Sequence, residues 1–291
     1  MEGWLITNGF LSTQKFQELY EMFRESAKKY SLDLKLIKND EILVDIAIEE
    51  CTMKPDFVLF WDKDIKLAAY LEKLGIRVFN PARSIELCDD KSLTHLELMN
   101  HGINMPRTIF APMTYTNIGY TNLTFLELVK SRLEFPIVIK EVFGSFGQQV
   151  YMANDEEELV NIVRECGSSK LIFQEFVKSS KGRDIRLQVV GNRVVASMYR
   201  YNDTDDFRAN LSSGGKMKGY TPTKEQENLA IKTCKILGLD FAGVDILFGE
   251  DDEPIVCEVN SNAHFKNITD ASRVNVSDKI IEYIIEELSV G

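Results

Sequence analysis

An α/β fold with a parallel sheet near its start is what the first third of the chain predicts, on two observations. Short apolar runs alternate with amphipathic helix patterns over the first 85 residues. The 291-residue length is also too great for one ordinary core, so two or three subdomains are expected.

The elements follow in order. WLITNGF reads as a strand. Residues 14–30 carry Phe16, Leu19, Tyr20 and Phe23 on one helical face. LDLKLI and the fully apolar PDFVLFW are further strands, residues 65–74 a helix closed by Gly75, and IRVFN a fourth strand. Residues 88–102 read as one helix, with Asp89 as N-cap and His101-Gly102 at its end. Residues 124–130 and 155–165 are helices, and PIVIK and LIFQEFV are strands. RDIRLQVV and RVVASMYR form a hairpin around Gly191-Asn192. A polar stretch, residues 202–219, reads as a loop, of a length that is usually disordered or functional. Residues 223–237 are a helix, FAGVDILF and PIVCEVN pair through an acidic turn, and residues 277–288 close the chain as a helix.

The net charge is 34 − 45 = −11, which argues against binding a nucleic-acid backbone, where clustered Lys and Arg are needed. No apolar run approaches the roughly 20 residues of a membrane span, and MEGWLITNGF lacks the features of a signal peptide. Five scattered cysteines form neither a zinc pattern nor a disulfide framework, which suits the reducing cytoplasm.

PIVIKEVFGSFGQQV brings a lysine, Lys140, to a strand end beside a loop with two glycines, Gly144 and Gly147. Such glycines let backbone N–H groups approach an anion, and the lysine adds charge. By itself GSFG is equally a turn with no ligand. In PIVCEVN, Glu258 and Asn260 are two apart and share a strand face, and antiparallel pairing brings Asp245 beside them. Two carboxylates and an amide oxygen are hard ligands suited to Mg²⁺. The plainer reading is the exposed face of an edge hairpin. Asp184 and Arg186 share a face, but a regular register puts Arg200 on the other one, so Arg200 joins them only through a bulge. Arg208 and Asn210 lie in the polar loop. For Arg193 a surface ion pair is expected, and for Lys91, in a helix first turn, a solvated surface position is the plainer reading.

Together these stretches, with DDKSLTHLELMNHGINMPRT, QEFV and DFRAN, resemble the ATP-grasp superfamily and, within it, the RimK-type α-L-glutamate ligases. The resemblance runs from about residue 85 to the end. It implies an N-terminal pre-ATP-grasp α/β domain (1–86) and two α+β subdomains (87–176 and 177–291) sandwiching ATP. Lys91 and Lys140 would contact phosphates, and the loop of Gly144, Ser145 and Gly147 would cover them. Glu175 and Phe176 would lie at the adenine. Asp184, Arg208 and Asn210 would make further nucleotide contacts. Arg186, Arg200 and Arg208 are, by the chemistry of arginine clamps and not by the resemblance, candidates to steady the transferring phosphoryl group, with a surface ion pair as the plainer reading of each. Asp245, Glu258 and Asn260 would hold Mg²⁺, with Mn²⁺ as an alternative.

The implied reaction is ATP-dependent ligation of a small-molecule or peptide carboxylate to an amino-acid amine, glutamate or another, through an acyl phosphate. A non-catalytic ATP-binding module and a carboxylate–thiol ligase are the alternatives. A homo-oligomer is expected by analogy alone. After Asn260 the family's glutamate-adding members continue with a small-Ser-Pro-Gly turn. Here the chain reads Ser261-Asn262-Ala263-His264, which leaves the substrate, and whether His264 touches it or merely packs, open.

Overall fold

The computed structural model describes residues 1–47, 54–144, 147–204, 206–209, 211 and 214–290. Four strands, β1 (Glu2–Thr7), β2 (Asp33–Lys38), β3 (Phe57–Phe60) and β4 (Arg77–Phe79), form a parallel sheet in the order β2-β1-β3-β4. All four residues of β3 are buried, as befits a parallel strand covered on both faces. Helices α1 (Gln14–Lys29) and α2 (Ile65–Lys73) connect strands. α1 buries Leu19, Tyr20 and Phe23. Asp64 caps α2 by accepting from the Leu67 N–H, and Gly75 ends it in the left-handed region at φ 73°. Strand order reverses between β1 and β3, so the crevice beyond their carboxyl ends is a topological switch point.

The single helix expected over 88–102 is two, α3 (Ala82–Asp89) and α4 (Lys91–Leu98). Asp90, not Asp89, is the cap. Its backbone leaves the helical region (φ −96°, ψ 104°), and its carboxylate accepts from the N–H groups of Ser92 and Leu93 at 2.9 and 3.1 Å. Lys91 does open the first turn of α4.

An antiparallel sheet follows, ordered β5-β8-β6-β7, from β5 (Thr108–Phe110), β6 (Ile137–Glu141), β7 (Val150–Ala153) and β8 (Leu171–Glu175). Helices α5 (Phe125–Lys130) and α6 (Glu156–Glu165) cover it. The last sheet is also antiparallel, ordered β11-β10-β9-β12-β13. Its strands are β9 (Arg183–Val190), β10 (Arg193–Tyr201), β11 (Lys216–Gly219), β12 (Phe241–Phe248) and β13 (Pro254–Asn260). The polar loop expected over 202–219 therefore ends in β11, an edge strand whose KMKG sequence is too polar and short to announce itself.

One face of this sheet packs on α7 (Lys224–Ile236), with Leu87 and Leu98 of α3 and α4 in the same core. The other meets α1, α8 (Lys266–Ser272) and α9 (Val276–Val290) in a core that includes Leu5, Leu59 and Trp61. Trp61 stacks on Phe241 with ring centroids 5.5 Å apart, so one core joins residues 1–86 to the end of the chain. Among the described residues no helix is long and apolar enough to cross a membrane.

Candidate active site

A cleft of about 120 Å³ opens between the two antiparallel sheets. β6 delivers Lys140 to it. Lys140 is buried, and its ammonium has Cys257 Sγ as partner, at 3.6 Å. Among the described residues no carboxylate lies within ion-pair distance of it. Lys91 is no solvated surface lysine. Its Nζ donates to the Gly144 carbonyl at 3.0 Å and stands 3.6 Å from Glu258 Oε1, with the side chain 12% exposed. Gly144 and Gly147 line the cleft. Ser145 and Asn210 lie outside the described residues. Arg208 crosses from its loop to donate to the Gly147 carbonyl at 2.9 Å, while Asp206 holds its guanidinium at 2.9 and 3.1 Å. Hydrogen bonding between the two lowers the Asp206 carboxyl pKa and raises that of Arg208.

At the other end Glu175 is exposed, accepts from the Arg107 N–H at 2.9 Å and lines the cleft. Phe176 meets Phe207 edge-on, centroids 6.1 Å apart. Sequence reasoning missed Gln174 and His95 here. Gln174 is buried, its amide nitrogen 2.9 Å from His95 Nε2 and 2.8 Å from Thr108 Oγ1. Burial, reinforced by Lys140, lowers His95 to about 4, so the imidazole is neutral at pH 7.

The charged face of the second antiparallel sheet depends on two register shifts. One, between Val194 and Ala196, sets Arg200 opposite Asp184. This is the bulge that the plain register lacked. The other, between Asp245 and Ile246, pairs Asp245 with Glu258 and leaves Cys257 out of register, with Sγ toward Lys140. Arg200 binds Asp184 at 2.6 and 2.8 Å and Asp245 at 2.9 Å. Arg186 binds Asp245 at 2.6 and 2.7 Å. Two guanidiniums and two carboxylates thus form a neutral, mostly buried chain. Burial pushes the Asp245 carboxyl up, but Arg186 and then Arg200 outweigh it and hold it at about 2.

Asp245 is 4% exposed, so it is not the open face of a hairpin. Glu258 is half-buried, and Asn260, two residues on, shares its face but lines the neighbouring cavity. Among the described residues no three His, Cys, Asp or Glu side chains come together as a metal site. Two carboxylates with an amide still fit Mg²⁺ in kind, because that ion takes one or two protein carboxylates and completes its shell with water and phosphate. Glu258 is the carboxylate less engaged by arginine.

The neighbouring cavity, about 720 Å³, lies between the carboxyl ends of β1 and β3, α1 and residues 258–264. Arg200 and Glu258 line both spaces. His264 both packs and faces the cavity. It meets Phe16 edge-on, its Nε2 lies 3.1 Å from the Lys15 carbonyl, and burial lowers its pKa. Arg193 makes the surface ion pair expected of it, with Glu286 at 3.2 Å.

Residues 88–284 match the family model described as RimK-like ATP-grasp domain. The chain is 30% identical over 267 residues to the protein MG012 of Mycoplasma genitalium, covering 91% of this chain and 92% of that one. It is 31% identical over 308 residues to beta-citrylglutamate synthase B of Homo sapiens, covering 97% and 78%. In fold it is similar to the D-alanine–D-alanine ligase of Bacillus anthracis complexed with ATP, with a TM-score of 0.75 at 21% identity over 99% and 97% of the two chains.

Proposed function

The chain belongs to the RimK-like ATP-grasp family and is an amide-forming ligase; from that premise we propose that it activates a carboxylate as an acyl phosphate in the presence of Mg-ATP and passes it to an amino-acid amine. The observation that carries this reading is the junction of the two cavities at Arg200 and Glu258. A triphosphate in the smaller cleft would end where a carboxylate in the larger one begins.

In this reading Lys140 and Lys91 neutralise the phosphates, and the loop of Gly144, Ser145 and Gly147 covers them. Arg208, already bonded to Gly147, ties that loop to its own, and Asn210, two residues on in sequence, would join it at the nucleotide. Glu175 and Phe176 border the adenine. Asp184, with both oxygens on Arg200, keeps that guanidinium at the junction. Arg186, Arg200 and Arg208 stabilise charge on the transferring phosphoryl group, where positioning and electrostatics supply most of the catalysis. Asp245, Glu258 and Asn260 would hold Mg²⁺, whose contribution when bound is to offset the phosphate charge. Glutamate is the amine of choice, by similarity to the citrylglutamate synthase. Citrate and acidic peptides are the carboxylates to try first.

Incubation with Mg-ATP, hydroxylamine and a carboxylate panel tests the proposal. A hydroxamate is expected, and Glu258→Ala or Lys140→Ala should abolish it while the fold persists. Full activity in both variants would refute the site assignment.

A further inference from the structure

Asp62 has no part in the chemistry above, yet it occupies a ligand-binding position of the amino-terminal sheet. It follows β3, as Asn8 follows β1, so both stand at the switch point where parallel sheets bind ligands. Asp62 is 6% exposed and lines the larger cavity. Its Oδ1 accepts from the Lys63 N–H at 2.7 Å, and the Asn8 amide lies 3.3 and 3.4 Å from the two oxygens. Among the described residues Oδ2 therefore has only that long contact. The Lys63 ammonium pairs with Asp89 at 2.5 Å, and among the described residues Asp62 forms no ion pair within bonding distance, though, against the burial that raises its carboxyl pKa, Lys63 still lowers it from the same turn.

Among the described lining residues the only other carboxylate is Glu258, placed at the metal. Lys15 and Arg186 supply positive charge to the same wall, close enough that Arg186, after burial, helps lower the Lys15 ammonium. In this cavity a ligand with carboxylates and one ammonium would meet complementary charge with its carboxylates at Lys15 and Arg186 and its ammonium at Asp62.

We propose that Asp62 binds the ammonium of the acceptor amino acid and removes the proton that blocks its attack. This rests on the acyl-phosphate reading. An amino-acid amine is largely protonated at neutral pH and has no lone pair to donate. Asp62 Oδ2 accepts one proton from R–NH₃⁺. The freed lone pair forms the C–N bond, the C–O bond to phosphate breaks with its electrons on oxygen, and the second amine proton leaves with the phosphate as HPO₄²⁻. Charged groups around Asp62 are Lys63 and Asp64 on its own turn and, across from it, Tyr20 of α1.

Asp62→Asn separates this step from the one before it. Hydroxylamine is mostly unprotonated at neutral pH and needs no base. The variant should form hydroxamate from the panel acid at the wild-type rate and lose amide formation with saturating glutamate by about 100-fold or more, the range of a general base. Amide formation should recover as pH rises toward that of the free amine. Wild-type amide rates in the variant would overturn the proposal. So would loss of hydroxamate along with amide, which would place Asp62 in the fold or in carboxylate activation. If wild-type protein made amide but no hydroxamate, the acyl phosphate would fall, and the variant's amide rate and its recovery with pH would still decide the role of Asp62.

Discussion

Replacing Lys140 by Met separates a binding residue from a folding residue. The ammonium sits 9% exposed at the end of β6 with a sulfur 3.6 Å away and, among the described residues, no carboxylate in ion-pair range. A buried charge without a counterion costs free energy in the empty protein. Methionine keeps the stem and removes the charge, so the variant should be as stable as wild type or more so. Removing a buried ammonium whose partner is a weak sulfur acceptor relieves about 1–3 kcal/mol, and the open cleft lets water reduce this to about 1 kcal/mol. With ATP the balance reverses. A hydrogen bond to a charged group is worth about 1.5–3 kcal/mol, so ATP affinity should fall roughly 10- to 150-fold. Urea unfolding gives the first quantity and titration with a fluorescent ATP analogue the second. A variant destabilised by about 2 kcal/mol with unchanged ATP affinity would refute the reasoning, since Lys140 would then be satisfied within the fold.

Arg200→Met leaves Asp184 and part of Asp245 without their shared cation, and the urea midpoint should fall by an amount equivalent to about 3–5 kcal/mol; a loss under about 1 kcal/mol would show the chain of charges to be energetically idle. Asp240 joins the amino-terminal sheet to β12, accepting from Arg77 at 2.7 Å and Tyr283 at 3.0 Å on Oδ1, while Oδ2 is buried without a partner among the described residues. Burial raises its carboxyl to about 6 against the pull of Arg77, so its contribution is full below about pH 4 and is lost as pH rises through 6, on the order of 3 kcal/mol in all. The difference in stability between wild type and Asp240→Asn should change by that order across pH 4–6; a flat difference curve would remove Asp240 as the cause.

Much of the framework was legible because its signals are local. Alternation in β1–β4, the apolar faces of α1 and α6, and Gly75 after α2 are each set by neighbours a few residues apart. Lys140, Asp245 and Glu258 stood out as candidates for the same reason, as charged residues at the ends of apolar runs or inside them. Where local signals compete, the reading failed. Asp89 and Asp90 are adjacent and equally good caps, and only Asp90 takes the extended backbone that stops α3 and starts α4. β5, β7, β11 and α8 are too short to carry a period.

The sequence by itself determined the strand-and-helix grammar, the lysine near the end of β6 and the hard-oxygen set on β12 and β13. Tertiary structure decided the partners. The bulge between Val194 and Ala196 turned Arg200 onto the face of Asp184 and Asp245. The strand order β2-β1-β3-β4 put Asp62 at a switch point. Chain folding brought Gln174 to His95, 79 residues away. A periodicity reports which face a side chain takes in its own strand or helix. It holds no information on which strand lies alongside, in what register, or which cavity that face closes, because those depend on contacts between residues far apart in the chain.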